Sequence, residues 1–437
     1  MNLTTRVGLL AGATAMTLTG MGAAATTDTN AEELRAQIEK LNARVAELEG
    51  GNWLTEQRSN EIRGLVNDVL ADADTRASLL GSGMTAGYND GFTIGSADGN
   101  YSLRLNGQLQ FRYNYSYQSD IDDVGGDRHR TGFENTRTKL WFSGHIVNPQ
   151  WQYVIEGNFD RNGGDFGLLD AYISYDYGNG VSMTAGQFKL PLLREELVDS
   201  RYQQTVERSL VNSYYTGGRS QGLMVTWAQD NFRFHGAFSD GAGQANTGWQ
   251  MRTTEYAFTG RAELLLDGNW DQFSQFRSPT GGEQGFLVGV AAHWEDGEYG
   301  TAANEFEIFR LTADISAQFG GWNLFGAYIF ENIDSSIGGS VSDHAIVVQG
   351  GFHLTDEWEL FGRYEHAWFD SAYDASDLSI LTIGANYYIA GHNAKLTADF
   401  GYAFNEVDFG NTMAGWRGDM GTDDGQIVIR TQLQLLF

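Results

Sequence analysis

The chain has 437 residues, with no cysteine, 3 prolines, 56 glycines and a formal net charge of −28 at pH 7. Without cysteine there is neither a disulfide framework nor a thiolate metal site, and the acidic balance argues against duplex nucleic acid as a partner. Beyond the N-terminal segment no run of about 18 apolar residues occurs, so no helix is expected to cross a membrane.

Met1–Ala25 reads as a secretory signal: Arg6 in a short basic start, a moderately apolar middle over Val7–Met21, and Ala23-Ala24-Ala25 as a small-residue cleavage site. Residues 26–80 read as a helical periplasmic segment. Within Ala31–Glu49, Leu34, Ile38, Leu41, Val45 and Leu48 are spaced 4-3-4-3, the seam of a short coiled coil. That helix is either an oligomerising stalk or a helix lying on the periplasmic end of the domain that follows. Glu56–Leu80 reads as a second, less regular helix, and 81–100 as a Gly-rich linker.

From Tyr101 the pattern changes period. Tyr101, Leu103, Leu105, Leu109, Phe111, Tyr113, Tyr115 and Tyr117 alternate with Ser102, Arg104, Asn106, Gln108, Gln110, Arg112, Asn114 and Ser116, so a strand here has one apolar face and one polar face. The last stretch, Gly425–Phe437, repeats that grammar, with Ile427, Ile429, Leu433, Leu435 and Phe437 against Gln426, Arg430, Gln432 and Gln434. Pairing the two would close the sheet without an edge. Alternating segments fall at about 101–118, 132–147, 150–160, 167–177, 181–189, 219–228, 231–239, 256–266, 285–295, 305–319, 321–331, 343–354, 357–369, 378–389, 394–404 and 425–437. Tight turns such as Val147-Asn148-Pro149 and Phe319-Gly320-Gly321 separate them on one side, and long polar stretches such as 119–131, 190–218 and 405–424 on the other. Short turns at one end and long loops at the other describe an all-β transmembrane barrel of about 16 antiparallel strands with periplasmic turns. The 18-residue connection 267–284 falls on the short-turn side and breaks the rule.

Strand parity selects lumen residues. Arg137 and Lys139 are two apart, and Leu140, Phe142 and Ile146 set the opposite face toward lipid, where a charge at mid-depth costs about 2–4 kcal/mol. Arg104 and Arg112 point inward by the same parity. These bases either form a wall that tracks anions or pair with lumen acids such as Glu156, Asp160 and Asp170. The longest connection, Leu190–Gly218, carries Arg194, Arg201, Glu207 and Arg208 among apolar anchors (Leu192, Leu193, Leu197, Val198, Val206, Leu210), as expected of a loop that folds inward and constricts a pore. The outer loops are acidic, with Asp120, Asp122, Asp123 and Asp127 in the first and Glu406, Asp408, Asp419, Asp423 and Asp424 in the last. Histidines are scattered without a nucleophile motif, and no phosphate-cradling glycine loop or metal-ligand spacing occurs, so neither catalysis nor a cofactor is expected.

GQLQFRYNY, TRTKLWFSG, YVIEGNFD, LLDAYISYDY, GQFKLPLLREE and VERSLVNSYYTGGRSQGLMV, in that order over most of 101–228, resemble the phosphate-selective porin O/P family. The resemblance implies an outer-membrane channel, a homotrimer in outer-membrane lipid and lipopolysaccharide that passes small hydrophilic solutes, with lumen bases, Lys189 and Arg194 among them, attracting anions such as phosphate. Where such proteins carry several arginines at the start of the second strand, this chain has Phe133-Glu134-Asn135-Thr136-Arg137-Thr138-Lys139. That departure leaves open a general or weakly cation-selective porin with an acidic vestibule, as well as a structural or adhesin barrel anchored through its coiled coil.

Overall fold

In the computed structural model the described residues are 35–43, 64, 84–118, 127–298, 305–372, 377–407, 414–417 and 425–437. The signal segment 1–25 lies outside them, as do most of the expected coiled coil and second helix; residues 35–43 are helical (α1). The chain divides into two units, Met1–Leu79 and Leu80–Phe437.

The second unit holds strands β1 (Met84–Tyr88), β2 (Phe92–Ser96), β3 (Ser102–Tyr117), β4 (His129–His145), β5 (Trp151–Phe159), β6 (Phe166–Gly178), β7 (Val181–Lys189), β8 (Arg219–Ala228) and β9 (Phe232–Ser239). It continues with β10 (Tyr256–Asp267), β11 (Gln284–Gly297), β12 (Phe306–Phe319), β13 (Trp322–Ser335), β14 (Gly339–His353), β15 (Trp358–Trp368), β16 (Leu378–Ala390), β17 (Ala394–Ala403) and β18 (Ile427–Leu436). Each strand from β3 onward pairs antiparallel with the next, and β18 pairs with β3 from Ile427↔Tyr117 to Leu436↔Gln108, which closes a 16-stranded barrel. All sixteen expected segments are present.

The alternation explains the closure, because each strand has an apolar face for lipid and a polar face for the lumen. Leu109, Phe111, Leu433 and Leu435 are exposed on the outer wall, whereas Gln108, Gln110, Arg112, Gln432 and Gln434 are buried inside. A bulge in β4 adjusts the parity. Gln110 pairs with Arg137 and Phe111 with Asn135, leaving Thr136 as the extra residue. The bulge lets Glu134 above it and Arg137 below it both face inward despite their odd spacing. Aromatic pairs mark the wall near both rims, Trp151–Tyr175 and Trp322–Phe352 toward the short turns and Tyr113–Phe133 and Phe258–Trp294 toward the long loops.

At the closing seam the terminal residue is seated on a glycine. The backbone of Phe437 exchanges two hydrogen bonds with Gly107, and a Cβ at Gly107 would stand 2.1 Å from the Phe437 ring. Only glycine leaves room for that ring.

Two segments depart from the expectation. Residues 81–100, read as a linker, contain the β1–β2 hairpin, whose second strand pairs with Ser102–Leu105 of β3. The turn Asn89-Asp90-Gly91 has positive φ at Asp90 (50°) and Gly91 (133°), the backbone that a Asp-Gly turn supplies. The 267–284 connection, here T4, is no missed hairpin. It contains a 3-10 turn at Gln272–Ser274, and Phe273 and Phe276 are buried. Gln318 donates to the Gln272 carbonyl at 2.8 Å, Arg277 lies 4.0 Å over the Tyr388 ring, and Phe276 packs 4.9 Å from Phe325. T4 folds back into the barrel from its periplasmic end.

Candidate functional site

The third outer loop, Leu190–Gly218 (L3), is the largest structure inside the lumen. Its neck closes with Leu190 N–H donating to the Gly218 carbonyl at 2.9 Å. Between lie a helical turn α2 (Arg194–Leu197), a 3-10 turn at Ser200–Tyr202 and a helix α3 (Leu210–Tyr215). Asp199 and Ser209 start the latter two, their side chains accepting from the Arg201 and Asn212 backbone N–H groups. The expected anchors Leu192, Leu193, Val198 and Leu210 are buried in one cluster with Phe325, Ile329, Val347 and Ile380 of the far wall. L3 therefore crosses the barrel and packs against β13–β16, as its length and apolar content suggested.

The wall bases meet the loop's acids. Glu207 stands between Arg112, 2.9 Å away, and Arg137, 2.5 Å away. Burial opposes the Glu207 charge, yet Arg137 and Arg112 outweigh it and hold the carboxyl well below its usual range. Arg112 also donates to Gln432 and to the Val206 carbonyl, and Arg137 to Gln110. Lys139 pairs with Glu156 at 2.9 Å, and Arg219 ties Glu156 to Asp170. Lys189 donates to the Glu196 carbonyl at 2.8 Å and lies 3.5 Å from its carboxylate. Arg208 also reaches Glu196, and these two cations bring its carboxyl to about 2 against the opposing effect of burial. Arg201 pairs with Asp199 at 3.1 Å and stacks 4.4 Å over Trp141.

Parity thus places Arg112, Arg137 and Lys139 inside as expected; of the alternative pairings with lumen acids, Lys139 with Glu156 is realised, whereas Asp170 pairs with Arg219. Arg104 faces inward at the lower end of β3, opposite Thr93 of the hairpin, without an acid in ion-pair range among the described residues. Among the described residues, Arg194 hydrogen-bonds the Phe273 carbonyl of T4 and has no acid in ion-pair range. Of the acidic outer loops, Asp120, Asp122, Asp123, Asp408, Asp419, Asp423 and Asp424 lie outside the described residues.

Several anchors escaped the sequence reading. Arg363 donates to Thr205 and to the Glu207 carbonyl, each at 2.8 Å, and contacts Glu195. Asp399 accepts from Arg430 and from the Val206 N–H, and Lys395 donates to the Gln203 carbonyl at 2.8 Å. Each lies on the polar face of its strand, so parity could have selected them, but their partners in L3 are 150 or more residues away in the chain.

Space remains on the other side of L3. A cavity of about 300 Å³ lies among Asp170, Tyr172, Thr184 and Met224, and one of about 430 Å³ among Arg194, Arg233, Trp270 and Leu287. Leu197 and Asp199 line both. The unfilled lumen therefore runs beside β6–β11, where small and polar side chains face a loop edge.

No curated protein sequence matches the chain. Its fold is shared with an anion-selective porin from Comamonas acidovorans (15% identity, 77% of this chain and 100% of that one, TM-score 0.56). In-vitro folded OmpT, an outer membrane protein of Vibrio cholerae, is also similar (11% identity, 77% and 98%, TM-score 0.54). So is OmpF of Salmonella typhi (13% identity, 80% and 100%, TM-score 0.51). The sequence model described as phosphate-selective porin O and P matches residues 107–408, from the strand that closes the barrel to the start of its last loop. A closed lipid-facing barrel narrowed by an inward loop, matched over most of its length, makes the chain a member of the phosphate-selective porin O and P family, a channel of the outer membrane.

Proposed function

We propose that the L3 belt gives this channel a weak preference for small anions during passive diffusion. The observation that carries this reading is the pair of buried wall arginines, Arg112 and Arg137, that converge on Glu207 of the loop. The −28 net charge opposes it. Charges standing in water at the mouth are screened within about 8 Å at physiological salt, whereas those in a narrow, less polar lumen act more strongly. The local contribution should win at high salt and weaken as dilution extends the reach of the acidic residues. The protomer acts without a catalytic step or cofactor, as part of a homotrimer surrounded by outer-membrane lipid and lipopolysaccharide, an assembly that light scattering of the detergent-solubilised protein would test.

The reversal potential across a salt gradient in a planar bilayer measures the preference. Changing Arg137 and Lys139 together to Gln frees Glu207 and Glu156 from half of their counter-charge, so selectivity should move toward cations at every salt concentration. An unchanged reversal potential would mean that the belt only holds the loop in place. A wild-type channel already selective for cations would favour the general porin with an acidic vestibule.

A further inference from the structure

T4 has a length that closing a strand pair does not require, and its buried face meets L3 around the larger cavity. Among the arginines of L3, Arg201 and Arg208 have carboxylate partners, but Arg194 has none in ion-pair range among the described residues. Its side chain is 8% exposed, makes one hydrogen bond to the Phe273 carbonyl, and leaves Nε without a partner. A guanidinium so desolvated is costly unless an anion completes it. Arg233 lines the same cavity from β9, stacked 4.1 Å over the Trp270 ring and only 3.8 Å from Glu263, which is already held by Arg261 at 2.9 Å. Asp199, also on the lining, is taken up by Arg201. Of the remaining lining groups, Asp271 is exposed and His235 bonds Thr226. Two cations thus share the space with the apolar side chains of Leu197, Phe273 and Leu287.

We propose that this cavity binds a small carboxylate carrying an apolar body, with Arg194 as its anchoring cation. A volume of about 430 Å³ lies within the range of small-molecule sites, about 300–1,000 Å³. The carboxylate would meet the guanidinium groups while the body lies on Trp270 and the Leu197–Leu287 wall. Inorganic phosphate fits less well, because beyond the two guanidinium groups only Tyr202, His235 and Ser274 could donate to its other oxygens, and the wall of Leu197, Val198, Phe273 and Leu287 is apolar. The extra length of T4 then has a use, since Phe273 and Trp270 form the floor of the site. The inference rests on the reading of the lumen as a path for anions and narrows its solute class.

Binding is measured calorimetrically on the folded full-length protein in detergent, with benzoate, benzyl alcohol and inorganic phosphate as probes. Benzoate should bind saturably and at least tenfold more tightly than either of the others. Arg194→Gln and Arg233→Gln should each weaken benzoate at least tenfold, and Arg194→Lys less. Heat-modifiability on gels checks folding. Should Arg194→Gln fail to fold, the half-exposed Arg233 supplies the deciding variant. Equal affinity for benzoate and benzyl alcohol, tighter binding of phosphate, or wild-type affinity in Arg233→Gln would overturn the proposal. Bilayer recordings separate the two levels: loss of anion preference with benzoate binding intact refutes the belt alone, and an anion-preferring channel that does not bind benzoate refutes this site alone.

Discussion

L3 and T4 enter the same lumen from opposite ends and are held there by different forces. L3 has apolar anchors in the cluster with Phe325 and Ile380, and to these it adds clamps of charge, with Glu207 on Arg112 and Arg137, Glu195 on Arg363 and Glu196 on Arg208. T4 is held by buried rings, a neutral amide and one cation–π contact: Phe273 and Phe276 in apolar surroundings, the Gln318 amide on two T4 carbonyls, and Arg277 on the face of Tyr388. Desolvated ions stabilise a loop only while every partner is in place, because a remaining unpaired charge costs more than the pair contributed. Apolar contacts instead lose stability in proportion to the area removed. L3 should therefore detach as a unit, whereas T4 should loosen gradually.

Glu207→Gln is the strongest way to expose that difference. It removes the carboxylate that the buried Arg112 and Arg137 share, at a cost of about 3–5 kcal/mol. Single-channel conductance should rise and the reversal potential should move toward anions as the loop leaves its seat. Wild-type conductance in the variant would show that the clamp does not position L3. Phe273→Ala tests the other end, and truncating a buried phenylalanine costs about 3 kcal/mol or more. Thermal unfolding should shift downward while ion selectivity stays constant, since no charge is changed. Ser209→Ala removes the residue that starts α3 and donates to Glu195, and should cost about 1 kcal/mol, read as a small fall in midpoint temperature with an unchanged conductance level.

The smallest effect is expected from pH. Glu196 is shifted from 4.5 to about 2, so its contribution is complete above the ordinary value and is lost only as pH falls toward the shifted one. Conductance should be flat from about pH 8 to 5, with loop noise beginning below about pH 4. A transition centred between pH 5 and 8 would contradict the clamp.

The barrel was legible because its signal is local and repeated. Lipid selects every second residue, so Tyr101–Tyr117 alone declares two faces, and Leu192, Val198 and Leu210 mark L3 as a loop with something to bury. What escaped has either a short signal or a distant cause. The β1 and β2 strands are five residues each, and their glycines read as linker, although Asn89-Asp90-Gly91 between Met84-Ala86-Tyr88 and Phe92-Ile94 is a hairpin pattern. T4 could not be read, because its place depends on Tyr202, Gln318, Phe325 and Tyr388, which no spacing within 267–284 reveals. The same holds for the belt. Parity sends Arg137 inward, but only the fold brings Glu207, 70 residues later, against it.

The seat of Phe437 on Gly107 also bears on how the barrel assembles. Neighbouring strands from β3 to β18 can form one ladder after another, each closing a short stretch of chain. The β18–β3 ladder joins positions such as Gln110 and Gln434, 324 residues apart. Brought together directly from an unfolded chain, such a loop would cost about 5 kcal/mol of entropy, so the seam should zip last, after the intervening sheet has curled. Until then the two terminal strands are open edges, templates for intermolecular pairing. The hairpin covers only Ser102–Leu105 of the first edge. A ring that fits over one glycine fixes the register of that final step, and the nascent chain needs an escort until the ring has found it.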